Sequence, residues 1–344
     1  MGSRIISWRT VLIPVCVALL VASGCGSDDS GGDGDATAVA GLPERPAEVV
    51  ETERVTLAWD TPDGESWPLD LIRPVDEIEG GWPVLVTFHG AATGTSAFEM
   101  AEVAKSGVVV VAPRWATPEW TLSNLEAIGT GAAYASGEFF DVAQCAFAAA
   151  QEAATDHGGN PEWTTVEGFS AGVHPAAWVG LGLVRDDPCP DAMTVAPIGL
   201  VLGDSNWLFQ GNQYDGAFGD ESSPGTDTVD RYLNPERWTV PDGFVAYLWS
   251  SESTVTERPV EMPPSADSWL RARGDDDLVD DLDSVGALDD SSVGFFDNGL
   301  LQHLRMRQVG IAVTHEQLPG DHSRKAGMIA RVVDVVWQVP LEDN

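Results

Sequence analysis

Gly168-Phe169-Ser170-Ala171-Gly172 sets a serine between two glycines. A serine hydroxyl attacks a carbonyl only when a base takes its proton and its oxygen stands clear of the backbone. A sharp strand-to-helix turn meets the second condition, and glycines two positions either side of Ser170 remove side chains that would collide within it. The residues before it, "TTVE", read as a buried strand, and Ala171 to Leu183 as a helix whose first N–H groups and positive dipole end face the same spot. Ser170 is therefore the candidate nucleophile. In a chain with 36 glycines the five-residue match alone would be only a small-residue corner, and the flanking strand and helix are what give it meaning.

The base should lie later in the chain, and five of the six histidines have structural explanations. His303 lies in a helix, His315 in a strand, His157 in a helix-ending turn and His174 on the helix after Ser170, while His89 belongs to the strand end "FHG". His322, in the loop "LPGDHS" after the last strand, is the one placed to reach back to Ser170 as general base. The acid that orients it should fall between the two in sequence. Glu252 in "YLWSSESTV", about three residues past the expected strand end, is the first candidate, and Asp290 in "DDSSVGFFDN" is its rival. Each is otherwise an ordinary surface carboxylate. The small residues Ala91 and Ala92 after His89-Gly90 let a backbone N–H approach a substrate oxygen, so Ala91 and Ala171 are the candidate oxyanion donors.

These residues need a scaffold, and the chain alternates strand-like and helix-like segments as an α/β protein does. "RVTLAWD" and "SWPLDLIRP" around "TPDGE" predict an antiparallel hairpin. "PVLVTFHG", "GVVVVAP", "PIGLVLGD" and "GFVAYLWSS" read as strands buried on both faces of a mostly parallel sheet. Phe139 to Asp156 predicts a helix stopped at "HGGN"; Gly299 to Gln308 predicts the last helix, followed by the strand "GIAVTHEQL". Residues 205–237 and 254–290, rich in Asp, Gly, Pro and Ser, read as excursions over the C-terminal edge of the sheet, where open α/β sheets bind ligands. The aspartates of "DDDLVDDLDSVGAL" lack the alternating-ligand pattern of a calcium loop and read as a solvated helix face. Trp115, Trp207 and Trp249, near predicted strand ends, are candidate pocket walls.

The chain's ends and charge bear on where it works. Residues 1–24 carry Arg4 and Arg9, the apolar run "VLIPVCVALLVA" and small residues before Cys25, the pattern of a secretory signal. Ala22-Ser23-Gly24-Cys25 resembles the lipobox of bacterial lipoproteins, with Cys25 the lipidation site, although Ala22 stands where leucine is usual; plain secretion is the alternative. Residues 25–45 read as a flexible tether and 46–344 as one domain, so the expected location is extracytoplasmic, on a membrane through Cys25 or secreted. Losing the signal moves the formal charge from -36 to about -38, which excludes nucleic acid as a natural partner because phosphates would be repelled. Cys145 and Cys189 remain as an expected disulfide in an oxidising compartment.

Taken together, "LDLIRP", "VTFHG", "DHGGNPEWTTVEGFSAGVHPAA" and "LPGDHS" resemble the first hairpin, oxyanion strand, nucleophile unit and histidine loop of the α/β-hydrolase fold esterases, in particular the acetyl-esterase and feruloyl-esterase branch. The resemblance spans about Val55 to Val333. It implies a Ser-acid-His triad at Ser170, Glu252 or Asp290, and His322, with no metal or organic cofactor and a small-molecule or cell-envelope ester as substrate. "HGAA" in place of a longer glycine run and Val173 in place of a further glycine depart from the branch, and a glutamate acid would be uncommon in it. Two alternatives remain open: an acyltransferase of the same fold acting on cell-envelope alcohols, and a surface binding lipoprotein that keeps the fold without catalysis.

Overall fold

Runs such as Val84-Leu85-Val86-Thr87-Phe88 are apolar at successive positions, so a strand built from them must be covered on both faces. The computed structural model bears this out. It describes residues 41–90, 100–116, 138–183, 189, 194–204, 235–251, 260–261, 292–293, 295–319 and 326–339. All of them lie in the compact unit Ala36–Asn344; Met1–Asp35 is a separate unit outside the described residues.

Strands β1 (Thr52–Asp60) and β2 (Ser66–Pro74) form the predicted hairpin, with Thr52 opposite Pro74 and Asp60 opposite Ser66. After them come β3 (Trp82–Phe88), β4 (Val109–Pro113), β5 (Gly159–Phe169), β6 (Gly199–Gly203), β7 (Val245–Ser251), the short β8 (Val260–Glu261) and β9 (Ser292–Val293), and β10 (Ala312–Leu318). Eight of them make one sheet in the order β1-β2-β4-β3-β5-β6-β7-β10. Neighbours pair in parallel from β4 to β10, while β2 runs antiparallel to both β1 and β4. Every residue of β3, β4 and β6 is buried, as a doubly covered sheet requires. The β8–β9 pair lies where the second excursion leaves and returns.

Five helices cover the sheet among the described residues: α1 (Ala101–Ala104), α2 (Glu138–Asp156), α3 (Val173–Gly180), α4 (Phe295–Gln308) and α5 (Ala326–Val336). Alternation along the strands decides their faces. A Cβ on Gly168 would press on Ala176 of α3, whereas Thr165 lies beside Gly199 and Val335 of α5. On β10, His315 meets Gly299 of α4 while Glu316 receives a hydrogen bond from Arg331 of α5 at 2.5 Å. So α2, α3 and α4 cover one face, and α1 and α5 the other. Beneath α5, the buried Tyr247 hydroxyl also donates to Glu316 at 2.9 Å; burial and the neighbouring carboxylate hold this phenol well above its usual range. Cys145 on α2 is bonded to Cys189, with Cα atoms 5.6 Å apart, as expected for an oxidised pair.

Several boundaries differ from expectation. The predicted helix 171–183 ends at Gly180; Gly182 takes φ +66, and Gly182 and Leu183 donate back to Val179 and Trp178, which closes it. Pro175 sits within its first turn, where no helical N–H is required. Helix α4 starts at Phe295, four residues before the predicted Gly299. Strand β7 continues through Ser251, so Glu252 follows it directly rather than after a gap of about three residues. Helix α5 was not expected, because its valines resemble strand residues, yet Met328, Val332, Val335 and Val336 recur at helical spacing and are all buried. Residues 205–234 of the first excursion and 254–259 and 262–290 of the second lie outside the described residues.

Candidate active site

The turn at Ser170 follows from two absent side chains. A Cβ on Gly168 would overlap the carbonyl oxygen of Gly172 and stand 2.6 Å from the Cβ of Ala176. A Cβ on Gly172 would overlap the carbonyl oxygen of Phe88 and lie 2.7 Å from that of His89. Backbone can therefore fold against backbone: Phe169 is extended at φ -122 and ψ 134, Ser170 turns to φ +55, and a single 3-10 turn, Ser170–Gly172, runs into α3. A positive φ on a serine costs on the order of 1–2 kcal/mol, so the packing around it must impose the conformation. The half-buried Ser170 stands at the C-terminal end of β5. Ala171, 8% exposed, opens the helical turn, and its N–H is one of the amides a helix start leaves without an internal acceptor.

The end of β3 lies against this turn. Phe88 pairs with Gly168, and a Cβ on Gly90 would lie 3.2 Å from that of Ser170, so only a glycine brings this backbone so close to the serine. His89 is buried; its Nδ1–H donates to the Gly90 carbonyl at 2.8 Å, while its own carbonyl accepts from Trp115 Nε1 at 3.0 Å. The two rings lie 5.5 Å apart. Trp115, at 1% exposure, thus braces the strand end from within rather than walling a pocket. Trp249 is equally buried and stacks on Phe169, centroids 5.7 Å apart and planes 9° from parallel, over the bare backbone of Gly203. Three residues before Ser170, on β5, the fully buried Glu167 accepts from Thr87 Oγ1 of β3 at 2.5 Å. His174, on α3, is 2% exposed, and burial pushes its imidazole down to about 3, so the ring is neutral at ordinary pH.

Of the sequence-predicted site, Ser170 and Ala171 are brought together at the elbow. His322, Glu252, Asp290, Ala91, Cys25 and Trp207 lie outside the described residues. Asp204 is not among the sequence-predicted residues. It follows β6 directly, is 1% exposed, takes φ +53, and accepts from Ser251 N–H at 3.0 Å and from Ser251 Oγ at 2.8–2.9 Å. Its signal was the one that had singled out Glu252, a carboxylate at the end of a buried strand. No group of three His, Cys, Asp or Glu side chains among the described residues is arranged to hold a metal ion.

No protein-family model matches the chain, and no curated protein matches its sequence. Solved structures do match in shape. The Est2 thermophilic esterase of the Planctomycetes species Thermogutta terrifontis is 13% identical with a TM-score of 0.50, covering 81% of this chain and 88% of that one. A bacterial heroin esterase is 18% identical with a TM-score of 0.49 over 85% of each chain. EstE1, a thermostable carboxylesterase from a metagenomic library, is 16% identical with a TM-score of 0.47, covering 87% of this chain and 92% of that one. At these identities the likeness speaks for the fold. Together with the strand order above, it gives the chain the α/β-hydrolase fold expected from its motifs.

Proposed function

We propose that the chain is a serine esterase that hydrolyses carboxylic esters through an acyl-enzyme at Ser170. The observation that carries this reading is the elbow: a serine at φ +55, raised at the end of a central parallel strand, with the Gly90 backbone against it and a helix starting beneath it. That arrangement presents an oxygen to a substrate and N–H groups to the charge that forms when it attacks. The esterase names of the solved structures of this fold point the same way.

In the proposed reaction His322 takes the Ser170 proton as Oγ bonds to the acyl carbon. The tetrahedral oxyanion is held by the N–H groups of Ala171 and Ala91. As the carbon–oxygen bond to the leaving alcohol breaks, His322 returns the proton to that alcohol. Water then adds to the acyl-enzyme by the same route, and releases the acid and the serine. The signal-like first 24 residues and the bonded Cys145–Cys189 pair support an extracytoplasmic site of action, with Cys25 as a lipid anchor.

A fluorophosphonate probe tests the proposal. The wild type should label and Ser170→Ala should not; a wild type that stays unlabelled, or an alanine variant that labels equally, ends it. A panel of esters with different acyl lengths would then define the substrate.

A further inference from the structure

We infer that Asp204, at the end of β6, is the carboxylate that orients the general base of the Ser170 reaction. The inference rests on the serine-hydrolase proposal above and supplies its missing positioning residue.

The sheet places it there. β5 and β6 pair with Phe169 opposite Gly203, so Ser170 and Asp204 are the next residues on each side of that pair. Both leave their strands in the left-handed region, at φ +55 and φ +53. The third described non-glycine residue with positive φ, Gln338, ends α5 and returns a side-chain hydrogen bond to Val335, an ordinary helix finish. Asp204 ends a strand, where no helix end demands that conformation. A strained non-glycine residue at a sheet edge beside a nucleophile is where a functional side chain is to be sought. Adjacent strands lie about 4.8 Å apart. An imidazole hydrogen-bonded through both nitrogens spans roughly 7–8 Å between its partners. Two residues at the ends of adjacent strands meet that span when their side chains diverge by a few ångström. Asp204 also keeps the order serine, acid, histidine along the chain.

The carboxylate is held ready. Ser251 closes β7 on the face that carries Tyr247 and α5, and it gives both its N–H and its hydroxyl to Asp204, which fixes both carboxylate oxygens. Asp204 N–H in turn donates to Trp249 O at 2.9 Å, which ties the residue to the strand bearing the Phe169 stack. A carboxylate at 1% exposure is costly to bury and is kept where its charge is used. Its face matters as well. Ser251 shares the side of the sheet with α5, and so does the carboxylate it holds, while His322 falls in sequence between β10 and α5.

The test compares Asp204→Asn with a Glu252→Gln/Asp290→Asn double variant, reading kcat, KM, the pH profile of kcat/KM and thermal melting. Asp204→Asn should lower kcat by about 10³–10⁴ with KM nearly unchanged, and move the acid limb of the profile to lower pH, since the imidazolium has lost its carboxylate. A merely structural loss would leave that limb in place. The double variant should keep kcat within about threefold of wild type, and this holds even if Asp204→Asn fails to fold. A folded Asp204→Asn with wild-type kcat, or a double variant that loses the activity, overturns the inference. Because the wild type is labelled by fluorophosphonate in parallel, an unlabelled wild type sinks the hydrolase proposal itself, a result distinct from either.

Discussion

His174 ties the site's scaffold to acid. It lies on α3 within the first turn after the elbow, and burial holds its pKa near 3 against an ordinary value of 6.5. Above about pH 6.5 the ring is neutral in both the folded and the unfolded chain, and its contribution is fully present. As pH falls below that value the unfolded chain takes up a proton that the folded chain refuses, so stability is lost at about 1.4 kcal/mol per pH unit until the folded ring titrates near 3. At pH 5 the loss is about 2 kcal/mol, a large share of the roughly 5–15 kcal/mol that holds a domain together. Two other effects act over the same range. A net charge of -36 repels itself less as carboxylates protonate, which stabilises the fold, while His315, lowered to about 4 by burial and then by His303, destabilises it. Both cancel in a comparison of wild type with His174→Gln. Urea midpoints at pH 7.5 and 5.0 should show a wild-type stability change about 2 kcal/mol more unfavourable than that of the variant. Equal changes in the two proteins, or an NMR titration of the ring near 6.5, would refute the reasoning.

Two further perturbations probe the elbow and its frame. Gly172→Ala drives a methyl into the Phe88 carbonyl and should cost about 1–3 kcal/mol by thermal melting with labelling nearly abolished. Gly90→Ala, whose methyl would stand 3.2 Å from the Ser170 Cβ, closer than ordinary contact, should cost about 1 kcal/mol by thermal melting and label more slowly. Opening Cys145–Cys189, which closes a 44-residue span, should lower stability by about 4 kcal/mol on loop-entropy grounds, read as the shift in denaturant midpoint on adding reductant; an unmoved midpoint counts against the bond.

The central strands were legible because burial on both faces writes itself as unbroken apolar runs, as in β3, β4 and β6. The hairpin was legible because Asp63-Gly64 marks a turn, and Thr61 there does bond back to Glu65. The elbow showed itself in the spacing of Gly168, Ser170 and Gly172. Helix α5 did not, because β-branched valines look alike in a buried strand and on a helix face. Asp204 stood in plain view after "GLVLG", but its positive φ and its Ser251 partner are tertiary facts that no local pattern carries. For the same reason Trp115 and Trp249 read as pocket walls when they are internal braces.

The left-handed backbone at Ser170 has a practical consequence for anyone improving the protein. Glycine would relax there, and even after its own entropy cost a Ser170→Gly chain should match or exceed the parent in stability by up to about 1 kcal/mol. A selection that ranks variants by heat tolerance or expression would therefore enrich a chain stripped of its proposed nucleophile, with nothing in the melting curve to give it away.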